Sequence, residues 1–359
     1  MKKIDYYIIK KFLGTFFYAI ALLTVIIIIF DVSEKIEDFI ENKAPFNEIV
    51  FSYYLNFIPY FINLFSYLFV FITVIFFTSK LASNTEIIAI LSAGISFRRL
   101  LRPYLISAGL LGALSFALAN FVIPHTNIEV RAFKQKYIGN LQNDMGQNIH
   151  FQISKGNFVY IERFNRNSST AQKFSLEEID STGQLVYKLN TDKAVYDTIS
   201  NKWHLVNYYE RTINGLNENL IFGKEKDTTL NITPKELIVI KEDYEEMDFA
   251  EIRQFIAKQK LKGSPNVMAY EIEMNKRIAF PFAAIILTII GVSLSSRKVR
   301  GGIGVHLGVG IALTFIYILF MQFTTVFAIS GDLSPRVAAW LPNIIYVFIA
   351  LYLLKKAPK

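Results

Sequence analysis

Few residues in this sequence have the types and spacing that catalysis requires. The four histidines, His125, His150, His204 and His306, are scattered, and no H-E-x-x-H pair is present to hold zinc. No G-x-x-x-x-G-K-[ST] motif occurs, so the chain does not bind ATP through a P-loop. Residues 291–295, Gly-Val-Ser-Leu-Ser, lack the second glycine of a nucleophile elbow. The sequence therefore predicts no catalytic residue, no metal site and no cofactor.

One short loop has a pattern that suits docking rather than catalysis. Residues 83–94 are Ser-Asn-Thr-Glu-Ile-Ile-Ala-Ile-Leu-Ser-Ala-Gly. Ser83 followed by Glu86 is a capping box that predicts a helix start, and Gly94 is placed to end the helix with a positive φ. The predicted helix has about ten residues, is ~15 Å long and is apolar on most sides. We expect the membrane surface or a groove on a partner protein to cover it.

Six apolar runs determine where this loop lies. The chain has 359 residues, of which 52% are hydrophobic, and its mean hydropathy is +0.33. A bilayer core of ~30 Å is crossed by a helix of ~20 apolar residues. The runs without acidic or basic residues are 12–30, 49–77, 104–123, 278–294, 303–328 and 337–354. The sequence thus predicts a polytopic α-helical membrane protein with six transmembrane helices. The glycines of residues 302–308, Gly302, Gly304 and Gly308, are expected to permit close helix packing in the fifth span.

The distribution of charged residues, which gives the chain a net charge of +8, agrees with this topology. The N-terminus, the second and fourth loops and the C-terminus together carry 14 basic residues and two acidic ones, Asp5 and Glu86. The first loop, residues 31–48, has six acidic and two basic residues. Basic residues gather on the cytoplasmic side of membrane proteins. We therefore expect both termini in the cytoplasm, and we interpret the excess charge as topology rather than as a nucleic-acid-binding surface.

The insert between the third and fourth runs is predicted to be an all-β domain. Its β-branched and aromatic runs are 151–153, 158–161, 185–189, 194–196 and 203–206, with turns at 155–157, 181–183 and 200–202. This spacing is typical of a sandwich or a jelly roll. A mixed α+β sensor domain would need amphipathic helices between the strands, and none is visible. Because the sequence has no cysteine, the domain must be stabilised by its own core.

The predicted organisation has three parts. Residues 1–123 hold transmembrane helices 1–3 with the loop helix at about 83–94. Residues 124–277 hold the β domain and connecting helices, one of which is expected to begin at the capping box of Asp248 and Glu251 and to end at Gly263. Residues 278–359 hold transmembrane helices 4–6.

Residues 85–96, Thr-Glu-Ile-Ile-Ala-Ile-Leu-Ser-Ala-Gly-Ile-Ser, resemble the coupling helix of the lipopolysaccharide-export permease family, the LptF/LptG type, also called YjgP/YjgQ. Residues 157–163, Asn-Phe-Val-Tyr-Ile-Glu-Arg, are similar to a segment of the family's periplasmic domain, and residues 231–237 are similar to the exit from that domain. The layout of six helices with a jelly roll between the third and fourth is also the family architecture. The resemblance extends over essentially the whole chain, and residues 158–163 are closer to the LptG type.

The resemblance implies transport without catalysis. The chain would be the permease subunit of an ABC-type exporter in the bacterial inner membrane, extracting lipopolysaccharide and passing it through a periplasmic jelly-roll domain to a periplasmic jelly-roll bridge protein. The implied partners are a paralogous permease subunit in a heterodimer, a cytoplasmic ATPase dimer and a single-span bitopic jelly-roll protein. The alternative is a membrane-anchored envelope structural or sensory protein with a β partner-binding domain, although six spans exceed what an anchor needs. An ion-coupled carrier would need charged residues at mid-membrane, which the spans lack.

The resemblance also implies residues for coupling to the ATPase: Glu86, Ile87, Ile90, Gly94, Arg98 and Arg99. Glu86 would pair with a basic residue of the ATPase, or it would only complete the capping box, and the two roles are compatible. Arg98 and Arg99 would contact the ATPase or anionic headgroups, unless they serve only as positive-inside anchors.

Candidates for lipid contact are Lys35, Lys43, Asn63 and Gln322. In the family, basic residues just outside the first span face the lipid phosphates, and here Lys35 and Lys43 lie in an acidic segment. Lys35 could instead pair with Asp31 or Glu34. The excess of acid leaves open a lipid with fewer phosphates, a bridging divalent cation, or cations on the partner permease. Asn63 and Gln322 would line the cavity or form hydrogen bonds between helices.

Candidates for an acyl-chain slot in the jelly roll alternate along the predicted strands. They are Phe158, Tyr160, Val195 and Leu205. Ordinary core packing is the alternative role for each of them.

Overall fold

A computed structural model describes residues 3–138, 147–154, 156–165, 168–180, 182–198, 200–215, 217–230, 243–261, 267–297 and 302–357. The chain divides into a helical unit and a β unit. The helical unit comprises Met1–Ile138, Glu245–Phe249 and Glu271–Lys359, and the β unit comprises Gly139–Tyr244 and Ala250–Tyr270. Gly263 and residues 231–237, both used in the sequence analysis, lie outside the described residues.

The described helices confirm the six predicted spans. In chain order they are α1 Lys3–Glu41, α2 Phe46–Ser83, α3 Glu86–Ser92, α4 Phe97–Tyr137, α5 Phe249–Leu261, α6 Val267–Ser295, α7 Gly302–Ile329 and α8 Pro335–Lys356. All except α3 and α5 are long and apolar enough to cross a membrane. Each of the six apolar runs lies inside one of these helices. α5 begins directly after Asp248, as its capping box predicts.

The first three spans are longer than a membrane requires. α1 has 39 residues and no proline, so it is ~58 Å long against a hydrocarbon core of ~30 Å. α2 and α4 each contain one π-helical turn, at Ile49–Tyr54 and Leu118–Val122. Such turns insert an extra residue into a helix and often occur at functional sites. The three helices therefore extend beyond the bilayer at their ends.

Of the apolar clusters among the described helices, the two largest both include residues of α2. The first joins α1, α2, α3, α4 and α6 through buried residues that include Phe12, Val74 and Tyr104. The second joins α2 to α6, α7 and α8 around Tyr317 and Tyr346. Because lipid tails are as apolar as these side chains, helix association depends on close packing and on hydrogen bonds between helices.

Close packing occurs at glycines other than the predicted ones. A side chain at Gly304 or Gly308 would meet no atom of the described chain within 4 Å, so these two glycines do not bring helices of this chain together. Gly310, on another side of α7, lies directly against Ile75 of α2, and Gly112 of α4 lies against the backbone of Pro281 in α6. The predicted glycines were chosen by spacing, which does not determine which side of a helix faces a neighbour.

The predicted all-β insert is confirmed. Its described strands are β1 Gln147–Ser154, β2 Asn157–Asn165, β3 Thr170–Ile179, β4 Leu185–Asp197, β5 Lys202–Asn214 and β6 Asn217–Thr228. They form one antiparallel sheet in which each strand pairs with the next along the chain, a meander. Three of the turns contain a positive-φ residue where the sequence predicts a turn, at Gly156, Gly183 and Asn201.

The sheet buries one face. Its core includes Val159, Ile161, Phe174, Trp203 and Leu205. Residues 185–189 and 194–196, which the sequence suggested as separate strands, are parts of the single strand β4. Within the described residues no helix separates the strands, which agrees with the all-β prediction over the α+β alternative.

Candidate functional site

The loop between α2 and α4 forms a short helix with a left-handed residue on each side. Thr85 precedes α3 with φ +63°, and Gly94 follows it with φ +81°. The N–H groups of Gly94 and Ile95 donate to carbonyls of the last helical turn at 3.0 and 3.4 Å. These bonds form a Schellman motif, in which glycine is preferred because it adopts a positive φ without a steric penalty. Gly94 therefore ends the helix, as the sequence predicts.

The start of α3 differs from the prediction. Ser83 is the last residue of α2, so it cannot cap α3, and the proposed capping box with Glu86 is wrong. The residue preceding α3, Thr85, makes no side-chain capping bond. Glu86 instead accepts a hydrogen bond from the hydroxyl of Tyr7 on α1 at 3.3 Å. The sequence pattern was misleading because α2 continues further than its apolar run.

α3 packs one side against the helical core and leaves another side exposed. Ile87 is 1% exposed and belongs to the first apolar cluster, and Ile90 is half-buried against the same cluster. Ile88 is 53% exposed, and Ala89 and Ser92 beside it are also exposed. The helix is thus fixed to the bundle by two isoleucines and presents a small apolar surface away from it.

The two arginines after α3 have different roles. Arg99 donates two hydrogen bonds to the carboxylate of Asp5 on α1, at 2.8 and 2.7 Å. Asp5 is 5% exposed, so this bidentate pair holds a nearly buried charge. Arg98 is exposed. Arg99 therefore joins α4 to α1, and Arg98 is the arginine that a partner or a headgroup could reach.

A second buried carboxylate lies near the other end of α1. Asp31 is 8% exposed and accepts hydrogen bonds from the Lys35 ammonium, from Tyr53 at 3.3 Å and from Tyr54 at 3.0 Å. The Lys35 ammonium also donates to the Tyr53 hydroxyl at 2.6 Å. Of the two acidic partners that the sequence offers, Lys35 thus pairs with Asp31.

Aromatic rings enclose this network. The Lys35 nitrogen lies 5.2 Å from the centre of the Tyr53 ring and 5.6 Å from that of Phe57, within the range of cation–π attraction. Phe133 of α4 stacks on Tyr53 with ring centres 5.0 Å apart. Tyr53 belongs to the π-helical turn of α2. Lys35 is therefore held inside the chain, whereas Lys43, which follows α1 with φ +50°, is exposed.

A family model described as the lipopolysaccharide export system permease LptF/LptG matches residues 6–356. This chain belongs to the LptF/LptG family. Membership covers essentially the whole chain, and it accounts for the six apolar helices with an inserted sheet. The protein is accordingly a multi-pass inner-membrane permease of lipopolysaccharide export. A comparison with curated proteins gives no match.

Two further candidates of this LptF/LptG protein lie in its spans. Asn63 of α2 accepts a hydrogen bond from the Ser115 hydroxyl of α4 at 2.6 Å, which is one of the two roles that the sequence offers. Gln322 is exposed on α7. Asn63 therefore contributes to helix association, and Gln322 remains available to a ligand or to a second subunit.

The four candidates for an acyl-chain slot in the β unit do not line a common slot. Phe158 and Tyr160 line a cavity of about 580 Å³ on the sheet, together with charged residues. Leu205 is completely buried in the core of the sheet, so it has the packing role. Val195 is half-buried and lies outside the lining of that cavity.

Sequence reasoning offered Asp31 only as a partner of Lys35, and it missed the burial of Asp5 and Asp31 and the tyrosines around Asp31. Asp5 and Asp31 stand on either side of the first apolar run, where an acidic residue at the end of a span is a weak signal. Their partners on other helices could not be identified from the sequence, because Arg99 is far along the chain and Tyr53 lies on another helix. A general expectation that buried charges are paired would have indicated only that partners exist.

Proposed function

We propose that this LptF/LptG protein extracts lipopolysaccharide from the inner membrane and is driven by a separate cytoplasmic ATPase dimer. In this arrangement both termini and α3 face the cytoplasm, and the β unit faces the periplasm. The distribution of basic residues supports this orientation. The absence of a P-loop motif in the sequence supports an external source of energy.

One observation carries the proposal: α3 is anchored on one side and unpartnered on another. Ile87 is buried in the bundle, whereas Ile88 is exposed. The neighbours of Ile88 on the exposed side, Ala89 and Ser92, are small, so a groove on a partner could approach the helix closely. An exposed isoleucine on a short helix is the kind of anchor that helix-in-groove recognition uses.

The packing of α3 provides a route for coupling. Ile87 shares a cluster with residues of α1, α2 and α4, and protein interiors are packed too densely to absorb a displaced side chain. A movement imposed on α3 would therefore displace these helices. The pair between Arg99 and Asp5 would transmit the movement from α4 to α1.

Among the lipid candidates, Lys43 is the better contact for a phosphate group. Its ammonium is exposed, while that of Lys35 is already paired with Asp31 and Tyr53. Lys35 then has a positioning role, since it keeps Asp31 neutralised between α1 and α2. We propose that Asn63 and Gln322 border the lipid cavity, Asn63 while bonded to Ser115.

The remaining partners would complete the exporter. A paralogous permease would form a heterodimer with this chain, and a single-span bitopic jelly-roll protein would join it. The β unit would pass lipid to a periplasmic jelly-roll bridge protein by strand addition. β6 supports this step, because it is the last strand in the order of the described sheet and exposes Leu220, Ile221 and Phe222.

The docking role of α3 can be tested by co-purification. The chain would be tagged, expressed with the cytoplasmic ATPase of the same bacterium and purified in detergent. Ile88→Asp and Glu86→Lys should each reduce the recovered ATPase about tenfold or more. The first variant places a charge in an apolar contact, and the second reverses the charge that would face a basic residue of the ATPase. Tyr7→Phe is the matched control, since it removes only the hydrogen bond to Glu86 and should leave recovery unchanged.

Two results would contradict this assignment. Full ATPase recovery and normal lipopolysaccharide export with Ile88→Asp would show that α3 is not the docking element. A loss with Tyr7→Phe equal to that with Glu86→Lys would show that Glu86 only positions α3 against α1. Correct membrane insertion of each variant, checked by fractionation, is required for either conclusion.

A further inference from the structure

One residue from each described strand of the β unit lies in a single row across the sheet. The register of the paired strands gives the row His150, Tyr160, Ser175, Asn190, Tyr209 and Phe222. Residues that lie directly opposite each other on neighbouring strands point to the same face. At ~4.8 Å between strands, the row is about 24 Å long. We call it the cross-strand row.

A groove follows the cross-strand row. The cavity of about 580 Å³ is lined by all members of the row except Phe222, together with Phe158. A second cavity of about 490 Å³ includes Phe222 and shares Asp192, Asn207 and Tyr209 with the first. The shared residues make the two cavities one continuous groove from β1 to β6.

The groove combines aromatic rings with hydrogen-bonding groups. The rings of His150 and Tyr160 are 4.4 Å apart near one end, and those of Tyr209 and Phe222 are 6.0 Å apart at the other. Phe222 is 73% exposed, so its ring is open to a ligand. Ser175 and Asn190 lie between the two pairs of rings. A ligand for such a groove needs apolar faces at intervals and hydroxyl groups between them.

Two polar atoms of the groove lack partners. The Ser175 Oγ and the Asn190 Oδ1 are buried and have no hydrogen-bond partner among the residues that the structure describes. The Asn190 amide group contacts the hydroxyl of Tyr209. Buried polar atoms without a partner are uncommon, because they lose the hydrogen bonds that water would provide. A hydroxyl-rich ligand that displaces the Tyr209 side chain slightly would give both atoms a partner.

The charges of the larger cavity argue against an anionic ligand. Its lining has two lysines, Lys173 and Lys188, and two acids, Glu177 and Asp192. Lys188 pairs with Glu177 at 2.7 Å, and Lys173 pairs with Glu162 at 2.6 Å. A phosphate group would require several cations that are not already paired, whereas the described lining of the groove adds only the exposed Lys224 of the second cavity. An acyl chain would bury these polar groups without giving them hydrogen bonds.

We propose that the groove along the cross-strand row binds a neutral oligosaccharide. Sugar rings would pack their apolar C–H faces on the exposed aromatic rings, and their hydroxyls would bond to Ser175 and Asn190. The oligosaccharide would lie across the strands, since the row runs in that direction. The site is separate from the docking of α3 and does not depend on it.

Binding can be measured directly on the full chain in lipid nanodiscs. Two neutral probes would be titrated and followed by saturation-transfer NMR: chitotetraose, and dephosphorylated, carboxyl-reduced, lipid-free core oligosaccharide released from lipopolysaccharide. We expect at least one to bind. A preference for the core oligosaccharide would indicate the sugar part of the transported lipid, and a preference for chitotetraose would indicate a cell-wall glycan.

Matched variants locate the site. Phe222→Ala should weaken binding several-fold, whereas Ile221→Ala, on the adjacent residue that points to the opposite face, should not change it. Asn190→Leu should weaken binding about tenfold, the effect expected for the loss of about one hydrogen bond inside a site. Because Asn190 lies within the sheet, the fluorescence of the buried Trp203 would verify that this variant is folded.

The proposal is wrong if neither oligosaccharide binds, or if Phe222→Ala and Asn190→Leu bind as tightly as the unmodified chain. It is also wrong if inorganic phosphate or decanoate displaces a bound oligosaccharide, because the groove would then accept an anion or an acyl chain. None of these results affects the ATPase co-purification, so the two proposals fail independently.

Discussion

Two buried carboxylates, Asp5 and Asp31, hold the two ends of α1 in different ways. They lie ~39 Å apart along the helix at 1.5 Å per residue. Asp5 receives the guanidinium of Arg99 from α4, with both oxygens occupied. Asp31 receives a lysine from its own helix and two tyrosine hydroxyls from α2. One end is thus joined to its neighbour by a charge, and the other by neutral groups.

The two sites differ in whether the residue that offsets the charge of the carboxylate also joins α1 to another helix. At Asp5 the residue from the neighbouring helix, Arg99, carries a charge that offsets the carboxylate and also joins α4 to α1. At Asp31 the neutralising residue, Lys35, belongs to α1 itself, and the hydrogen bonds to the carboxylate from the neighbouring helix come from Tyr53 and Tyr54 of α2. A rigid planar guanidinium fixes geometry more strictly than a phenol hydroxyl that can rotate. We therefore expect the Asp5 end to be the fixed end of α1 and the Asp31 end to be the adjustable one.

The largest effect is expected at the fixed end. Arg99→Met would take the guanidinium away from the nearly buried Asp5, which is strongly destabilising, so Tm should fall by roughly 5 °C. Trp340 of α8 contacts Phe282 of α6, so its fluorescence in detergent can report unfolding of the helical unit. Arg99→Lys should recover only part of the loss, because an ammonium cannot occupy both oxygens in the guanidinium geometry. An unchanged Tm for Arg99→Met would remove the distinction between the two ends.

A smaller effect is expected when one link of the adjustable end is removed. Tyr54→Phe deletes a hydrogen bond to a charged group, worth about 1.5 kcal/mol, and should lower Tm by about 3 °C. The double variant Tyr53→Phe with Tyr54→Phe should lose more than the sum of the single variants, because Asp31 would then have no partner on α2 among the described residues. Strict additivity would mean that the two hydroxyls act separately.

The turn after α3 provides a third test at the fixed end. Gly94→Ala forces a Cβ into a left-handed conformation, which costs about 1 kcal/mol, so Tm should fall by about 2 °C. Gly14→Ala in α1 is the control, since it has open space around it and should leave Tm unchanged or slightly raised. An equal change in Tm for Gly94→Ala and Gly14→Ala would show that the left-handed conformation of Gly94 does not contribute to stability.

The smallest effect on stability is expected at Lys43, which has the corresponding left-handed conformation after α1. Lys43→Gly relieves that conformation and increases the freedom of the unfolded chain, so Tm should change by less than about 1 °C. If Lys43 contacts a lipid phosphate, the same variant should retain less lipopolysaccharide on purification. Lys43→Arg is the control for lipid retention, because it keeps the charge.

The fold could be predicted where a feature depends on local composition. Each span was predicted because length and apolar content suffice for a membrane helix. The turns at Gly156 and Gly183 were predicted because few residues other than glycine accept a positive φ. β3 and β6 were not recognised as separate strands, since their sequences mix charged and polar residues with few apolar ones. β6 is exposed along most of its length, which accounts for its composition.

At the candidate site, the role of a residue could be predicted only where its partners lie close to it along the chain. Gly94 ends α3, and Lys35 pairs within α1, and both follow from short spacings. The roles of Arg98 and Arg99 could not be separated, because which one faces α1 depends on the rotation of α4. The cross-strand row could not be predicted either, since it requires the register of five strand pairs. Such information exists only in the folded chain.

The length of α1 has a mechanical consequence. A continuous helix of 39 residues without proline behaves as a stiff rod, and it is fixed near its first turn by the Arg99 pair. A tilt of only about 5° around that pivot would swing its last turn by about 5 Å, given its length of ~58 Å. That distance is roughly half of the usual 8–10 Å separation between packed helices. A tilt of α1 by a few degrees, imposed near one face of the bilayer, would thus open a gap beside the helix at the other face, and this gap would be wide enough for a hydrocarbon tail.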